Sequence, residues 1–289
     1  MLSVFNKKTQ PKIPTFAVIG TGYIFRTHLL AINNIGGKII DVVSESHGKE
    51  AWKKMVENTK ADYIVILTPN DLHFKMIRFS VEKGKTVLCE KPLTIKLEEA
   101  KSLVGNENIF TVCQLRYHPF VKRIKQEQLS KKIKHQIKMN IFFKRDDKNY
   151  IQGWKNQIKR SGGILFNVGI HYFDLLLYLF GEAKRIEVRK IYERNSEYPK
   201  AEARGIIEGE NYVCEWQMYV NKKEGGRIIK KREFIINNTS YNFSSKDNLA
   251  EENLHKFVYQ DLLNRKGIKP KDVVRTIELV EKIYKKTKN

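Results

Sequence analysis

The stretch TFAVIGTGYIF, Thr15–Phe25, decides the fold. Thr15–Gly20 is short, apolar and β-rich, as a buried parallel strand is. It runs into Gly20-Thr21-Gly22-Tyr23-Ile24-Phe25, and a helix follows from about Arg26 to Asn34. Strand, glycine loop and helix in that order let a backbone approach a pyrophosphate and leave it on the helix N-terminus. Gly20, Gly22, Tyr23 and Ile24 are therefore candidate dinucleotide-binding positions. Phe25 stands where such loops carry a third glycine. That glycine serves helix–strand packing, so its loss does not by itself abolish binding. Taken alone, the loop is equally compatible with an ordinary glycine turn.

Outward from this stretch, Ile39–Val43, Tyr63–Leu67, Thr86–Cys89 and Phe110–Cys113 read as further apolar strands. Helical stretches at Lys49–Thr59, Leu72–Lys83 and Lys96–Val104 separate them, so a parallel sheet with right-handed crossovers is expected. Beyond His118-Pro119 the texture changes. Lys134–Lys144 alternates as a strand, and Gly163–Phe180 reads as a buried helix. Arg185–Tyr192, Ala203–Ile207, Tyr212–Val220 and Arg227–Ile236 then follow as strands in series, which suggests a mostly antiparallel sheet. Two helices, Glu251–Leu263 and Lys271–Lys286, close the chain. The expected fold class is α/β, with an N-terminal Rossmann domain over 1–117. A second α/β domain with a large, open, mostly antiparallel sheet would occupy 118–289.

Composition narrows the function classes. The chain has 289 residues, 41% of them hydrophobic and 11% aromatic, which fits a folded protein of one or two domains. No apolar run reaches membrane-spanning length, and MLSVFNKKTQPK lacks the apolar core of a signal peptide. Cys89, Cys113 and Cys214 are odd in number, widely spaced and without metal-ligand spacing. A reduced, cytoplasmic setting without disulfide or zinc is expected. The net charge of +22 is spread along the chain as lysine, with dense runs at Lys131, Lys132 and Lys134, at Lys230–Arg232 and at Lys285, Lys286 and Lys288. None forms a nucleic-acid module, so no nucleic-acid partner is expected. The same field would favour an anionic small substrate.

Candidate chemistry gathers at strand ends and on the buried helix. Glu45, just past the second strand, is placed to hold ribose hydroxyls, and no arginine waits there for a 2′-phosphate, which favours NAD over NADP. Thr68-Pro69-Asn70 and Cys89-Glu90-Lys91-Pro92 end parallel strands, where ligands of open α/β sheets bind. Ser161–Gly181 (SGGILFNVGIHYFDLLLYLFG) is apolar nearly all round. Asn167, His171 and Asp174 nevertheless recur at i, i+4 and i+7, on one stripe. Buried polar groups need partners or a cavity. A satisfied core histidine and a surface lysine at a turn are the ordinary alternatives for His171 and Lys91. Hydride transfer from a sugar alcohol would use both: a histidine accepts the hydroxyl proton while an ammonium stabilises the developing alkoxide. Asn167 would orient the imidazole or a hydroxyl, Asp174 would anchor the helix, and no metal is required. His28, His47, His73, His135 and His255 show no ligand-like spacing, and most of them are read as structural.

The glycine loop, TPNDLH (Thr68–His73), EKP (Glu90–Pro92) and the run from Gly162 through Asn167 and His171 to Asp174 occur in the order found in the Gfo/Idh/MocA family of NAD(P)-dependent sugar oxidoreductases, which this chain resembles over nearly its whole length. The resemblance implies that Lys91 and His171 are catalytic. It also implies that Thr68, Asn70, His73, Glu90 and Lys91 border the cofactor, and that the open sheet packs the protein into homodimers or homotetramers. Within the family, QLRYHP (Gln114–Pro119), Tyr150-x3-Trp154-Lys155 and SGGILFNVGIHYFD resemble UDP-N-acetylglucosaminuronic acid (UDP-GlcNAcA) 3-dehydrogenases. That likeness implies oxidation of the 3-hydroxyl of a UDP-sugar for surface-polysaccharide synthesis. Arg116, Tyr150, Trp154 and Lys155 would then be substrate contacts. Another sugar or polyol as substrate, or a non-catalytic NAD or nucleotide-sugar sensor, are the alternatives. The stretch Ser44–Asp62 is short for the elements relatives place there.

Overall fold

Five strands, β1 (Thr15–Ile19), β2 (Lys38–Val43), β3 (Tyr63–Ile66), β4 (Thr86–Cys89) and β5 (Ile109–Thr111), pair in parallel in the order β2-β1-β3-β4-β5. The computed structural model describes residues 12–145, 153–194, 200–243 and 251–286. Helices α1 (Phe25–Asn34), α2 (Ala51–Asn58), α3 (His73–Glu82) and α4 (Leu97–Ser102) connect the strands. β1, β3, β4 and β5 are apolar on both faces because helices cover both sides, as parallel sheets require. The chain moves outward from β1 to β2, then returns to the other side of β1 for β3. The loops after β1 and β3 therefore diverge and leave a crevice at the carboxyl ends. Gly20 sits in it with φ +103, and a Cβ there would come within 2.8 Å of the Leu67 carbonyl oxygen. Only glycine fits.

After α5 (Pro119–Glu127) the chain builds a second sheet from β6 (His135–Phe143), β7 (Ala183–Arg194), β8 (Lys200–Gly209), β9 (Tyr212–Val220), β12 (Lys231–Ile236) and β13 (Thr239–Asn242). A small hairpin, β10 (Lys223–Glu224) and β11 (Arg227–Ile228), precedes β12. The sheet order is β13-β12-β6-β9-β8-β7, antiparallel except for the parallel pair β6–β9. Helix α6 (Ile170–Phe180), entered through a π-helical turn at Leu165–Gly169, lies on the inner face. Phe173 meets Trp216 edge-on there, with ring centroids 5.4 Å apart. Helical residues Ile158–Phe180 are long and apolar enough to cross a membrane, but 83% of the apolar window is buried inside the protein. This is a core helix.

Two expectations change. Arg227–Ile236 is not one strand but a hairpin arm followed by β12. The unanticipated β13 pairs with β12 across Asn237 and Asn238, both at positive φ (49 and 72) as a tight hairpin needs. The terminal helices α7 (Glu251–Leu263) and α8 (Pro270–Lys285), assigned by sequence to 118–289, also reach the first domain. Val258, Tyr259 and Leu262 of α7 share one apolar cluster with Phe16, Val18 and Ala31. The line drawn at 117/118 is crossed in space.

Candidate active site

The crevice opens between the Gly20-Thr21-Gly22 loop, the Ser44–Ser46 segment and Thr68-Pro69, a cavity of about 750 Å³ that Trp52 and Met76 also line. Gly22 faces open space. The first turn of α1 has no side-chain cap; the Phe25 N–H donates to the Gly22 carbonyl at 3.0 Å, and the positive end of the helix dipole faces the loop. Glu45 lines the same cavity from a 3-10 turn that Ser44 and His47 close on each other. α2 is present despite the short sequence before β3, and its Trp52 lines the cavity. These residues fit a dinucleotide.

A second cleft adjoins the first and shares Leu67, Thr68 and Trp154 with it. Lys91, Asn167 and His171 all line this cleft. Lys91 follows β4 directly and is joined to Pro92 by a cis peptide bond. Its Nζ donates to the Asn167 carbonyl oxygen at 3.0 Å, a group presented by the π-helical turn. One helical turn on is His171, half-buried, with neither ring nitrogen hydrogen-bonded to any described residue. Burial first, and the Lys91 ammonium second, hold its pKa well below the ordinary histidine value. The imidazole is thus neutral near pH 7 and able to take a proton.

Glu90 and His73 play parts the sequence did not separate. Glu90 lines the cleft, but its Oε1 accepts from His28 Nε2 at 2.9 Å and lies 3.6 Å from His255 Nε2. With His28 Nε2–H so used, Nδ1 accepts from the Tyr259 hydroxyl at 2.7 Å. Burial alone would raise the Glu90 pKa, yet the His255 and His28 imidazoles beside it outweigh burial and keep the carboxyl well below its usual range. His28, Glu90 and His255 each offer one ligand atom within 4.8 Å of the others, so the cluster could also face a metal ion. Glu90 Oε2 accepts from the Lys91 backbone N–H at 3.2 Å, so the cluster fixes the base of the lysine. His73 is fully buried, 2.7 Å from the Pro92 carbonyl oxygen and 3.0 Å from that of Thr68. It ties two strand-end loops together and does not line either cleft. Asn70 donates to the Ser161 carbonyl at 2.8 Å, joining the first domain to the segment that leads into α6.

The expected substrate contacts divide. Trp154 and Lys155 line the cleft, with Lys155 Nζ 5.4 Å from the centroid of the exposed Tyr23 ring. Ile24 lines it as well. Tyr150 lies outside the described residues. Arg116 is a correction: its guanidinium forms a bidentate pair with Asp174 (2.8 and 2.6 Å) and also donates to the Asp272 carbonyl. Thr276 adds a hydrogen bond to Asp174 at 3.3 Å. Arg116 and Asp174 are a buried clasp between α6 and α8, and Asp174 anchors the helix as expected. Sequence reading passed over Gln114, Arg145 and Arg232, all in the cleft wall. Gln114 Oε1 is buried without a hydrogen-bond partner among the described residues. Arg232 belongs to the run Lys230–Arg232, which looked like surface charge; its alternation with the buried Phe234 and Ile236 was the available signal.

Family models described as "Oxidoreductase family, NAD-binding Rossmann fold" and "Oxidoreductase family, C-terminal alpha/beta domain" match residues 15–108 and 121–244. The chain belongs to the Gfo/Idh/MocA oxidoreductase family. Its cofactor is NAD. Among curated Gfo/Idh/MocA relatives, scyllo-inositol 2-dehydrogenase (NAD(+)) of Bacillus subtilis is 29% identical over 57% of this chain and 53% of its own. Glucose-6-phosphate 3-dehydrogenase of the same organism is 27% identical over 56% and 53%. The match thus spans about half the length of these curated relatives. Among solved structures, the WlbA (WbpB) dehydrogenase of Thermus thermophilus, in complex with NAD and UDP-GlcNAcA, is 27% identical. It covers 93% of this chain and 94% of that one, with a TM-score of 0.78.

Proposed function

We propose that this protein oxidises the 3-hydroxyl of a UDP-linked sugar acid, UDP-GlcNAcA, to the 3-keto sugar. The observation that carries the reading is the placement of Lys91 and His171 in one cleft wall, directly beside the dinucleotide crevice. Neutral His171 accepts the hydroxyl proton. Lys91, steadied by the Asn167 carbonyl and by Glu90 behind it, stabilises negative charge on the substrate oxygen. NAD supplies the acceptor for the hydride that leaves the sugar carbon, so the balance is alcohol plus NAD⁺ to ketone, NADH and a proton. Likeness to WlbA over almost the whole chain supports the nucleotide-sugar assignment. Three free, buried cysteines suit a reducing cytoplasm, and the second sheet offers an outer face for a homodimer or homotetramer.

The test is direct. Purified protein is mixed with NAD and, separately, with UDP-GlcNAcA, scyllo-inositol and glucose 6-phosphate, following reduced nicotinamide by absorbance and the product by mass spectrometry. A product two hydrogens lighter than UDP-GlcNAcA, with the keto group at C3, is the expected result. Turnover of inositol or the sugar phosphate in its place would move the substrate to a free polyol or sugar.

A further inference from the structure

The cleft holds a polar group that the proposed proton transfer does not use. β4 and β5 are parallel neighbours with Cys89 opposite Thr111, and Lys91 and Gln114 follow their ends. Gln114 opens a 3-10 turn, Gln114–Tyr117, and is only 6% exposed, yet it lines the cleft with Lys91 and His171. Its Oε1 is buried and has no hydrogen-bond partner among the described residues. An amide oxygen left in that state costs about 1–3 kcal/mol until a donor reaches it. The turn that carries Gln114 is fastened on its far side. Asp174 clasps Arg116, and the Tyr117 hydroxyl donates to Asp261 at 2.7 Å. The backbone is therefore held while the last side-chain torsion is soft, so the amide can turn its oxygen to a ligand on the cleft floor.

Which ligand lies there follows from which domain supplies which wall. Trp154, Asn167 and His171 line the cleft from the second domain, whereas Glu90, Lys91 and Gln114 line it from the ends of β4 and β5 in the first. The dinucleotide crevice starts at the ends of β1 and β2, and Thr68, past β3, borders crevice and cleft alike. Strand ends in the order β2-β1-β3-β4-β5 thus form one continuous track from the crevice to Gln114. We propose that Gln114 holds the carboxamide of the nicotinamide, its Oε1 accepting an N–H of that group. A ring tethered by its carboxamide cannot turn over about its bond to the ribose, so this contact fixes which face of the nicotinamide meets the sugar carbon. The inference needs NAD and not the identity of the sugar, so it stands or falls apart from the UDP-sugar reading.

Calorimetric titration of the nucleotide-free protein with NAD and with 3-acetylpyridine adenine dinucleotide reads the contact without turnover. The analogue has a methyl ketone in place of the carboxamide, so it keeps the carbonyl and lacks the N–H. The unsubstituted protein should bind NAD about 5–100-fold more tightly than the analogue. Gln114→Met, of similar length but without the acceptor, should bring the two affinities together. Gln114→Glu, which keeps an oxygen at the same reach, should preserve the preference. ADP-ribose, which lacks the nicotinamide, should bind all three proteins alike and so shows the crevice intact. Equal affinities for NAD and the analogue in the unsubstituted protein, or an undiminished ratio in Gln114→Met, overturn the contact. If Gln114→Met loses ADP-ribose as well, its fold has moved, and Gln114→Leu decides by the same ratio.

Discussion

Lys91 and His171 line the same cleft wall, and on the proposed function single substitutions separate their parts. Lys91→Met and His171→Asn should each lower kcat by about 10²–10⁴-fold while NAD affinity by fluorescence titration changes only a few-fold. Loss of cofactor with either change would make them structural. The pH profile carries a sign. His171 has a depressed pKa, so its base form persists as pH falls, and the acid limb of kcat/KM should lie below the ordinary histidine value of 6.5. Arg232→Gln removes one of the cationic neighbours that depress it, so that limb should move to higher pH; an unmoved limb would separate Arg232 from the imidazole. That both residues would line one cleft was legible in the sequence. A lysine between glutamate and proline at a strand's carboxyl end, and polar residues at helical spacing on an apolar helix, both need a partner or a cavity to face. Arg116 was misread for a physical reason: an arginine in a motif looks the same whether its partner is a ligand or an aspartate in the core.

Among the elements, α6 is held at its entry and in its middle. At its start, Gly163 (φ +79) leaves room for Tyr284 and Glu193, and the Glu193 carboxylate accepts from the Ile164 N–H at 3.0 Å. The Tyr284 hydroxyl accepts from the Leu165 N–H at 3.1 Å and donates to Glu193 at 2.7 Å. In its middle, the Arg116–Asp174 clasp is nearly inaccessible, with side chains 10% and 5% exposed. Arg116→Met should therefore cost about 3–5 kcal/mol in urea unfolding, because it strands a buried carboxylate. A loss below about 1 kcal/mol together with a raised substrate KM would return Arg116 to the binding site. The helix itself was plain from its apolar run. Its π-helical entry was not, since a wider turn leaves no periodic mark in sequence, and that turn is what offers the Asn167 carbonyl to Lys91.

Across the whole molecule, alternation of strand and helix fixed the first sheet, and β-rich runs separated by turns fixed most of the second. The destination of the last two helices was hidden, because an amphipathic helix records that it has a partner and not which one. Truncation before Glu251 should leave Phe16, Val18 and Ala31 without the cover of α7 and yield an aggregating chain by light scattering, though both sheets are intact in sequence. Tyr259→Phe, a milder cut at the same junction, should cost about 1–3 kcal/mol by leaving His28 Nδ1 unpaired. A fully stable truncated chain would mean that the first sheet closes its own core.

The contact between His28 and Tyr259 spans 231 positions. During translation, the strand that opens the chain would leave the ribosome long before the helix that covers it is made. The nascent first domain must therefore wait with an apolar face exposed until some 231 further residues have been made. Its closure would come only once that helix has emerged, in one late step that also sets Glu90 behind Lys91.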